Sequence, residues 1–430
     1  ADGRTIPVIN PSTEEQYATA PLSASTDVDQ AMQVAADAFE TWRDSTPKDR
    51  SLALFRIADA IEARAEEFIA LESENCGKPI GMTRSEEIPP MVDHVRFFAT
   101  AARHLEGKSA GEYVPNMTSY IRREPIGVCA QVAPWNYPMM MAVWKFAPAI
   151  AAGNTVVLKP SDTTPVSTTL LAEICTEFLP AGVMNVICGD RDTGRAMVSH
   201  KTPSLVSVTG SVRAGMEVAE SASKSLKRVH LELGGKAPVI VFDDADIDSA
   251  VEGAMASKYR NAGQTCVCAN RIYVQESVYD AFVQKFAAKV KALKVGNGFE
   301  EGVVQGPLIE PAALAKVTRH VEDAKAKGGV VLAGGKALNG QFFEPTVIGN
   351  ATSDMLCARE ETFGPFAPVF KFKTEQEAID AANNTEFGLA SYFYSRDVGR
   401  IFRVSEGLEY GMVGINVGII ATEHVPFGGV

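Results

Sequence analysis

The sequence contains no apolar run of the roughly 18 residues that a membrane span requires. Its start also lacks a basic segment followed by an apolar one, so no secretory signal peptide is predicted. Positive charge is in deficit, because 53 acidic residues outnumber 41 basic ones and give a net charge of −12. That balance disfavours nucleic acid or an anionic membrane as a partner. We therefore expect a cytoplasmic protein.

Cysteine is scarce and shows no framework spacing. The seven cysteines are odd in number and scattered, which favours a reducing compartment. Only Cys266 and Cys268 lie in a segment rich in Gly, Asn and Gln. Such a pair can be half of a metal site, but the six histidines are dispersed and no second ligand pair is present. We predict no metal site and interpret Cys266 as a candidate nucleophile.

Length and periodicity predict two α/β domains. A chain of 430 residues with 46% hydrophobic content is long enough for two or more cores. Two amphipathic helices are predicted over 27–75, with Asp27 capping the first and Pro47 opening the second. Further along, continuous apolar strands alternate with helices, which indicates a parallel, doubly wound sheet. The boundary is predicted near Gly234-Gly235, and residues 111–125 have the pattern of a hairpin-like polar arm.

A carboxylate at the end of a predicted strand complements the thiol. Glu232 lies near the end of the predicted strand 229–233, which is followed by two glycines. A thiol nucleophile and a separate carboxylate base suggest covalent catalysis in two halves. The segment 134–138 adds Asn136, held between aromatic residues and prolines, whose amide can donate a hydrogen bond to an oxyanion. A rigid aromatic turn is the alternative interpretation of this segment.

Two strand ends are candidates for a nucleotide site. Gly210 and Ser211 lead from a strand into a helix that contains Gly215, so backbone N–H groups can face a pyrophosphate. The pattern is not Gly-x-Gly-x-x-Gly, and an ordinary βα turn is the alternative. Lys159 and Asp162 follow another strand and can hold the hydroxyls of an adenosine ribose. The acid favours NAD over NADP because it repels the extra phosphate; a solvated charge pair is the alternative.

Together, these motifs resemble the NAD(P)-dependent aldehyde dehydrogenase superfamily over nearly the whole chain. The resemblance implies a Rossmann-like cofactor domain over 1–110 and 127–233, an oligomerisation arm over 111–126 and an α/β catalytic domain over 234–430. It also implies a small-molecule aldehyde as substrate and assembly as a homodimer or homotetramer. The motifs that carry it are Pro134-Trp-Asn-Tyr-Pro138, Leu158-Lys-Pro160, Thr209-Gly-Ser211 with Gly215, Leu231-Glu-Leu-Gly-Gly235, Gly263-Gln-Thr-Cys266 and Glu360-Glu-Thr-Phe-Gly-Pro365.

The resemblance assigns a role to each motif. Cys266 is implied as the nucleophile and Glu232 as the general base, while Asn136 and the Cys266 backbone N–H form the oxyanion hole. Lys145 matches a family lysine near the path of the catalytic water. Cys268 resembles the partner in a reversible disulfide with Cys266, and a bystander thiol is the alternative role. The implied contacts of the dinucleotide are Trp135, Lys159, Asp162, Gly210, Ser211, Gly215, Glu361 and Phe363.

The two portions of the chain indicate different substrates. The N-terminal portion, with Trp144, resembles 4-aminobutyraldehyde dehydrogenases, and an aromatic face suits an alkylammonium. The C-terminal portion, with Arg260 and the loop of Phe427, resembles succinate-semialdehyde dehydrogenases, and an arginine suits a carboxylate. A salt bridge is the alternative role of Arg260. We predict succinate semialdehyde as the substrate, with 4-aminobutyraldehyde as the alternative.

The family pattern continues past Val430 into a segment that lines the substrate tunnel and pairs across subunits. The resemblance therefore implies a catalytic domain that is incomplete at its C-terminal end. The alternative from another class is a catalytically impaired dinucleotide-binding or structural protein on the same scaffold.

Overall fold

The computed structural model describes residues 2–430 of the chain. Its contacts divide the chain into two compact units. Unit 1 comprises residues 1–9, 16–75 and 82–232, and unit 2 comprises residues 10–15, 76–81 and 233–430. Within the described residues, no helix is both long and apolar enough to cross a membrane.

Sixteen strands are present in the described residues. In chain order they are β1 Thr5–Ile9, β2 Gln16–Pro21, β3 Gly111–Val114, β4 Met117–Ser119, β5 Val128–Val132, β6 Thr155–Lys159, β7 Met184–Val186, β8 Leu205–Thr209, β9 Arg228–Glu232, β10 Pro238–Val241, β11 Arg271–Gln275, β12 Val330–Ala333, β13 Thr346–Ala351, β14 Phe366–Phe372, β15 Ala390–Tyr394 and β16 Met412–Ile415.

The α-helices alternate with most of these strands. They are α1 Ser25–Trp42, α2 Pro47–Ala63, α3 Ala65–Cys76, α4 Ile80–Met82, α5 Ile88–Ala101, α6 Pro138–Ala151, α7 Val166–Phe178, α8 Arg191–Ser199, α9 Val212–Ser223, α10 Ile247–Tyr259, α11 Tyr279–Lys291, α12 Pro311–Ala326, α13 Leu356–Arg359, α14 Glu375–Asn383 and α15 Val398–Gly407. A π-helical turn, Thr83–Glu87, precedes α5, and 3₁₀ turns cover Arg260–Gly263 and Glu276–Val278.

Unit 1 is built on a five-stranded parallel sheet in the order β7-β6-β5-β8-β9. Strands β5 and β6 are almost wholly buried, as expected for parallel strands covered by helices on both faces. Because parallel strands share an orientation, the carboxyl ends of β6, β8 and β9 lie along one edge of the sheet. This edge carries Lys159, Thr209 and Glu232, the last residues of those three strands.

The helical region at the start of unit 1 corrects one prediction. Three helices, α1, α2 and α3, replace the two predicted over 27–75, because the backbone leaves the α region at Arg64 (φ −103°, ψ 21°). Pro47 opens α2 as predicted, but Asp27 is not the N-cap of α1. The N-cap is Ala24, whose backbone N–H donates to the Asp27 carboxylate at 2.8 Å.

A two-stranded hairpin projects between α5 and β5. Strands β3 and β4 pair antiparallel around a turn in which Asn116 has a φ of 64°. Large apolar side chains on and beside the hairpin are exposed, including Tyr113, Met117 and Tyr120. Its role in oligomerisation remains a prediction.

Unit 2 contains a seven-stranded sheet in the order β12-β13-β14-β11-β10-β15-β16. All its pairings are parallel except that of the edge strand β12 with β13. Both faces are covered, since Val239 and Val241 belong to one core and Ile240 and Phe242 to the other. Side chains that alternate along this segment therefore pack into two hydrophobic cores, one on each face of the sheet.

Candidate active site

Glu232 ends β9 in a partly enclosed position. Its backbone carbonyl accepts a hydrogen bond from Gly210 N–H at 2.9 Å, and its side chain is 14% exposed. Burial raises the pKa of this carboxyl to about 7, and the nearby Lys145 ammonium acts in the opposite direction. A carboxylate whose pKa lies near neutrality is suited to accept a proton from water.

Lys145 lies on α6 and is buried. Its ammonium donates to the hydroxyl oxygen of Ser207 at 2.9 Å. Burial lowers the pKa of Lys145 to about 7, while Glu232 acts to raise it. The structure therefore brings Glu232 and Lys145 into one electrostatic pair.

Two neighbours of this pair, Ser207 and His230, are absent from the sequence predictions. Ser207 Oγ lies 3.1 Å from His230 Nδ1, and His230 Nε2 lies 3.5 Å from Glu232 Oε1. The signal that reveals them is register, because Ser207 on β8 is paired with His230 on β9. His230 also precedes Glu232 by two positions, so their side chains share one face of the strand.

Asn136 and Trp135 occupy the connection from β5 to α6. Asn136 is buried, Trp135 is half-buried, and Pro138 opens α6 at a position where its missing N–H costs nothing. One turn and a half into α6, Trp144 stacks on His94 of α5 with ring centroids 5.3 Å apart.

The connection from β8 to α9 has the features of an anion site. Ser211 is the N-cap of α9, and its hydroxyl accepts from Ala214 N–H at 3.3 Å. A Cβ added to Gly210 would meet nothing closer than 3.9 Å, and Gly215 is buried in the first turn. A helix start with free backbone donors favours a phosphate.

Lys159 and Asp162, at the end of β6, do not pair with each other. The Lys159 ammonium donates to the carbonyls of Gly189 and Pro160 at 2.6 and 3.0 Å. Burial lowers the pKa of Lys159. Asp162 is exposed, and its carboxylate accepts the backbone N–H of Thr163 at 3.2 Å.

In unit 2, the segment before Cys266 has a special backbone. Asn261, Ala262 and Gly263 have φ values of 48°, 54° and 73°, three successive residues in the left-handed region. Ala262 is buried there although a non-glycine residue in this region is strained. Only glycine fits at position 263, because the Cβ of any other residue would lie 2.2 Å from the Gly364 carbonyl oxygen. This turn leads the chain to Cys266, which is half-buried.

The paired glycines of unit 2 allow two close approaches. A Cβ on Gly235 would lie 2.1 Å from the carbonyl oxygen of Cys266, and a Cβ on Gly234 would lie 2.8 Å from Glu361 Oε2. The Gly235 N–H donates to Glu361 Oε1 at 3.0 Å. Burial raises the pKa of Glu361. Gly235 therefore positions both the backbone of the candidate nucleophile and the Glu361 carboxylate.

We predict that Gly235→Ala displaces the Cys266 loop. A contact at 2.1 Å with a backbone oxygen requires the main chain to move, which costs about 1–3 kcal/mol for overpacking. Enzymatic turnover should fall by at least about tenfold, since small misplacements of reacting groups are costly. Gly81→Ala is the control, because nothing lies within 4 Å of its added Cβ and its backbone is outside the left-handed region. Wild-type activity of Gly235→Ala would contradict this account.

Buried polar side chains fix the segment that contains Glu361 and the half-buried Phe363. The Lys236 ammonium donates to the carbonyls of Cys357 and Glu360 at 2.6 and 2.7 Å. Asn270 accepts the Thr362 N–H at 2.7 Å, and His320 lies 2.8 Å from the Thr362 hydroxyl. Burial lowers the pKa of Lys236 to about 7 and that of His320 to about 4.

Cys268 lies deeper than Cys266. It is 1% exposed, its thiol donates to the Gly263 carbonyl at 3.3 Å, and Lys258 Nζ lies 3.7 Å from its sulfur. Burial raises the pKa of Cys268, which opposes thiolate formation. Its part in a redox switch remains a prediction.

Arg260 and Phe427 complete the predicted residues of unit 2. Arg260 is half-buried at the end of α10, directly before the left-handed turn. Phe427 is half-buried and packs against the core on one face of the seven-stranded sheet, as does Cys266.

Comparison with known proteins supports the identity that these motifs suggest. The model of the aldehyde dehydrogenase family matches residues 1–430. A glutarate-semialdehyde dehydrogenase of Pseudomonas putida is 47% identical over 431 residues, which cover 100% of this chain and 90% of that protein. The chain belongs to the aldehyde dehydrogenase family.

Two further relatives agree with this assignment. A succinate-semialdehyde dehydrogenase [NADP(+)] of Escherichia coli K12 is 43% identical over 433 residues, which cover 100% of this chain and 90% of that enzyme. The crystal structure of an aldehyde dehydrogenase from Brucella melitensis biovar abortus 2308 has a TM-score of 0.98 and 47% identity, and the match covers 100% of this chain and 89% of that one. The predicted aldehyde dehydrogenase fold is confirmed.

This aldehyde dehydrogenase is therefore an oxidoreductase that acts on an aldehyde and uses NAD(P). Its candidate residues fit a dinucleotide at the start of α9, where Gly210 leaves space and backbone N–H groups are available for a phosphate.

Proposed function

We propose that this aldehyde dehydrogenase oxidises succinate semialdehyde to succinate with NAD. The observation that carries the choice of substrate is Arg260, a guanidinium six residues before Cys266 and at the start of the turn that positions it. Arginine is the side chain best suited to hold a carboxylate through paired hydrogen bonds. The substrates named for the Pseudomonas putida and Escherichia coli relatives, glutarate and succinate semialdehyde, both carry one.

In the first half of the proposed mechanism, the Cys266 thiolate adds to the aldehyde carbon, the π electrons of the C=O bond move to oxygen, and a thiohemiacetal forms. Asn136 and the Cys266 backbone N–H donate to the oxyanion that develops on the former carbonyl oxygen. A nicotinamide dinucleotide held at Ser211 and the start of α9 would supply the acceptor for the hydride of the thiohemiacetal carbon. The C=O bond re-forms as the hydride leaves, so the substrate remains on Cys266 as a thioester.

In the second half, Glu232 removes a proton from water as the water oxygen bonds to the thioester carbon. The C–S bond then breaks, the electron pair returns to the Cys266 sulfur, and the acid leaves. Above pH 7, the Glu232 carboxyl is mostly ionised because its pKa is about 7. Hydrolysis of the thioester should therefore rise with pH through this value and then level off.

The preference for NAD rests on Asp162. Its exposed carboxylate follows β6 by three residues, and a negative charge there repels the additional phosphate of NADP. Trp135, Lys159, Ser211, Gly215 and Phe363 are proposed as further elements of the dinucleotide site. The proposed assembly is a homo-oligomer that uses the hairpin of β3 and β4.

A second candidate substrate is 4-aminobutyraldehyde, and the observation that favours it is the stack of Trp144 on His94. The stack covers one face of the indole and fixes the ring, and the opposite face can attract an alkylammonium through a cation–π contact. Arg260 would repel the same ammonium. Trp144 therefore favours a positively charged aldehyde, whereas Arg260 favours a negatively charged one.

The test compares NADH formation with succinate semialdehyde, glutarate semialdehyde and 4-aminobutyraldehyde in the wild type and in Arg260→Met. Loss of a charge-assisted hydrogen bond of about 1.5–3 kcal/mol should raise KM for succinate semialdehyde by about 10- to 150-fold. KM for 4-aminobutyraldehyde should stay unchanged or fall. Arg396→Met is the control, because Arg396 is an exposed arginine that pairs with Asp246 at 2.9 Å.

Each outcome decides between the candidates. A wild-type preference for succinate semialdehyde that disappears in Arg260→Met supports the proposal. A preference for glutarate semialdehyde that disappears in Arg260→Met supports Arg260 as the carboxylate-binding residue, but shows that the preferred substrate is one carbon longer than succinate semialdehyde. A preference for 4-aminobutyraldehyde, or an unchanged KM in Arg260→Met, rejects it.

A further inference from the structure

A line of polar side chains leads away from Glu232 inside unit 1. Lys145 Nζ donates to Ser207 Oγ at 2.9 Å, Ser207 Oγ lies 3.1 Å from His230 Nδ1, and His230 Nε2 lies 3.5 Å from Glu232 Oε1. Each atom in this line either donates or accepts a proton, and the hydroxyl and the imidazole can do both. The line therefore connects the proposed general base to a buried amine through two amphoteric groups.

The elements packed around His230 supply its charged and polar neighbours. Lys145 approaches from α6, Ser207 from β8 and Glu232 from the same strand, β9. Desolvation and the Lys145 charge lower the pKa of His230 below its ordinary value. The imidazole is therefore mostly neutral near pH 7, so one ring nitrogen can accept a proton while the other gives one away.

Solvent access distinguishes His230 from its neighbours. Its side chain is 57% exposed, whereas that of Glu232 is 14% exposed and Ser207 and Lys145 are buried. A general base that takes a proton from water in every turnover must release that proton before the next. His230 is the member of the line that faces both the base and bulk water.

We propose that His230, held at Nδ1 by Ser207, is a proton relay that carries the proton of Glu232 to solvent and returns Glu232 to its ionised form after thioester hydrolysis. This inference rests on the proposed role of Glu232 as the general base. His230 and Ser207 act through Glu232 and are positioning residues, since neither is required to touch the substrate. The relay begins at Glu232 and ends in solvent at His230, while the Lys145 ammonium holds Ser207 in place.

Protons balance along the line. Protonated Glu232 gives its proton to the bare Nε2 of His230, and the imidazolium that forms releases that proton from Nε2 to water. His230 Nδ1 keeps its hydrogen and donates it to Ser207 Oγ, which also accepts from the Lys145 ammonium at 2.9 Å. His230 gains one proton and loses one, so the net change is one proton moved from Glu232 to solvent.

The test separates the two halves of the reaction in His230→Gln and Ser207→Ala. The rapid first formation of NADH and the KM values should match the wild type, because the relay acts after hydride transfer. Steady-state turnover should fall by about 10²-fold, the lower end of general acid–base effects. The pH at which turnover rises should also shift, and added imidazole should restore turnover in His230→Gln but not in Ser207→Ala.

His200→Gln is the matched control, since His200 also belongs to unit 1 and lies 3.2 Å from a carboxylate, that of Asp29. It should keep wild-type turnover and its pH dependence. Wild-type turnover in His230→Gln, or loss of the first NADH formation with it, would overturn the relay. Glu232→Gln separates the two proposals. If Glu232→Gln blocks turnover while His230→Gln does not, only the relay is rejected. If Glu232→Gln has no effect, the assignment of Glu232 as the general base is rejected as well.

Discussion

Cys266→Ala is expected to abolish steady NADH formation, with a loss of more than about 10⁴-fold, as for other enzymes that lose their nucleophile. Without the sulfur, no thiohemiacetal forms, and the aldehyde hydrate is a poor hydride donor in its place. Dinucleotide binding should persist, because the candidate contacts at the start of α9 are in unit 1 and Cys266 is in unit 2. The measurements are NADH absorbance and quenching of protein fluorescence by the dinucleotide.

The control for this prediction is Cys188→Ala. Cys188 is a buried thiol of unit 1 that lies 3.9 Å from the Thr169 hydroxyl, and burial raises its pKa. Its removal should cost stability but not the chemistry. Turnover within tenfold of wild type in Cys266→Ala would mean that another group performs the addition. Dinucleotide binding by a wild-type chain that forms no NADH would instead favour a scaffold without catalysis.

Glu232→Gln is expected to form one equivalent of NADH per active site and then nearly stop. Glutamine keeps the size of the side chain but cannot take a proton from water, so the thioester persists. Steady turnover should fall by about 10²–10⁴-fold, the usual contribution of a general base. In the wild type, turnover should rise with pH through about 7, where burial places the pKa of Glu232. Rapid mixing followed by steady-state assay across pH measures both effects.

The control is Glu220→Gln, because Glu220 is an exposed carboxylate of α9 whose partner, Lys224, lies 3.7 Å away. It should keep both phases and the pH dependence of the wild type. If Glu232→Gln loses the first NADH formation as well, Glu232 serves the first half of the reaction and the assigned role is wrong.

Much of the fold follows from local sequence patterns. The apolar run 229–233 predicts a strand, and β9 covers Arg228–Glu232. The helix predicted after Gly210 and Ser211 is found as α9, Val212–Ser223. These features depend on neighbours in the chain, so periodicity and capping identify them. The break at Arg64 is missed because no glycine or proline marks it.

Features that depend on distant residues are not visible in the sequence. Ser207 and His230 are ordinary strand residues until the register of β8 and β9 places them side by side. Similarly, the sequence does not show that Lys236 and His320 both contact the segment of Glu361, Lys236 at the Glu360 carbonyl and His320 at the Thr362 hydroxyl. The left-handed turn at Asn261 and Ala262 is unexpected because only Gly263 has the freedom that such a backbone normally requires.

The most direct test of the two-step account is to trap the acyl-enzyme. Glu232→Gln is mixed with succinate semialdehyde and NAD, quenched after the first NADH forms and digested for peptide mass spectrometry. The account predicts one succinyl group, on the peptide that contains Cys266, in proportion to the NADH formed. NADH formation without any acyl group on Cys266, or an acyl group on another residue, would contradict it.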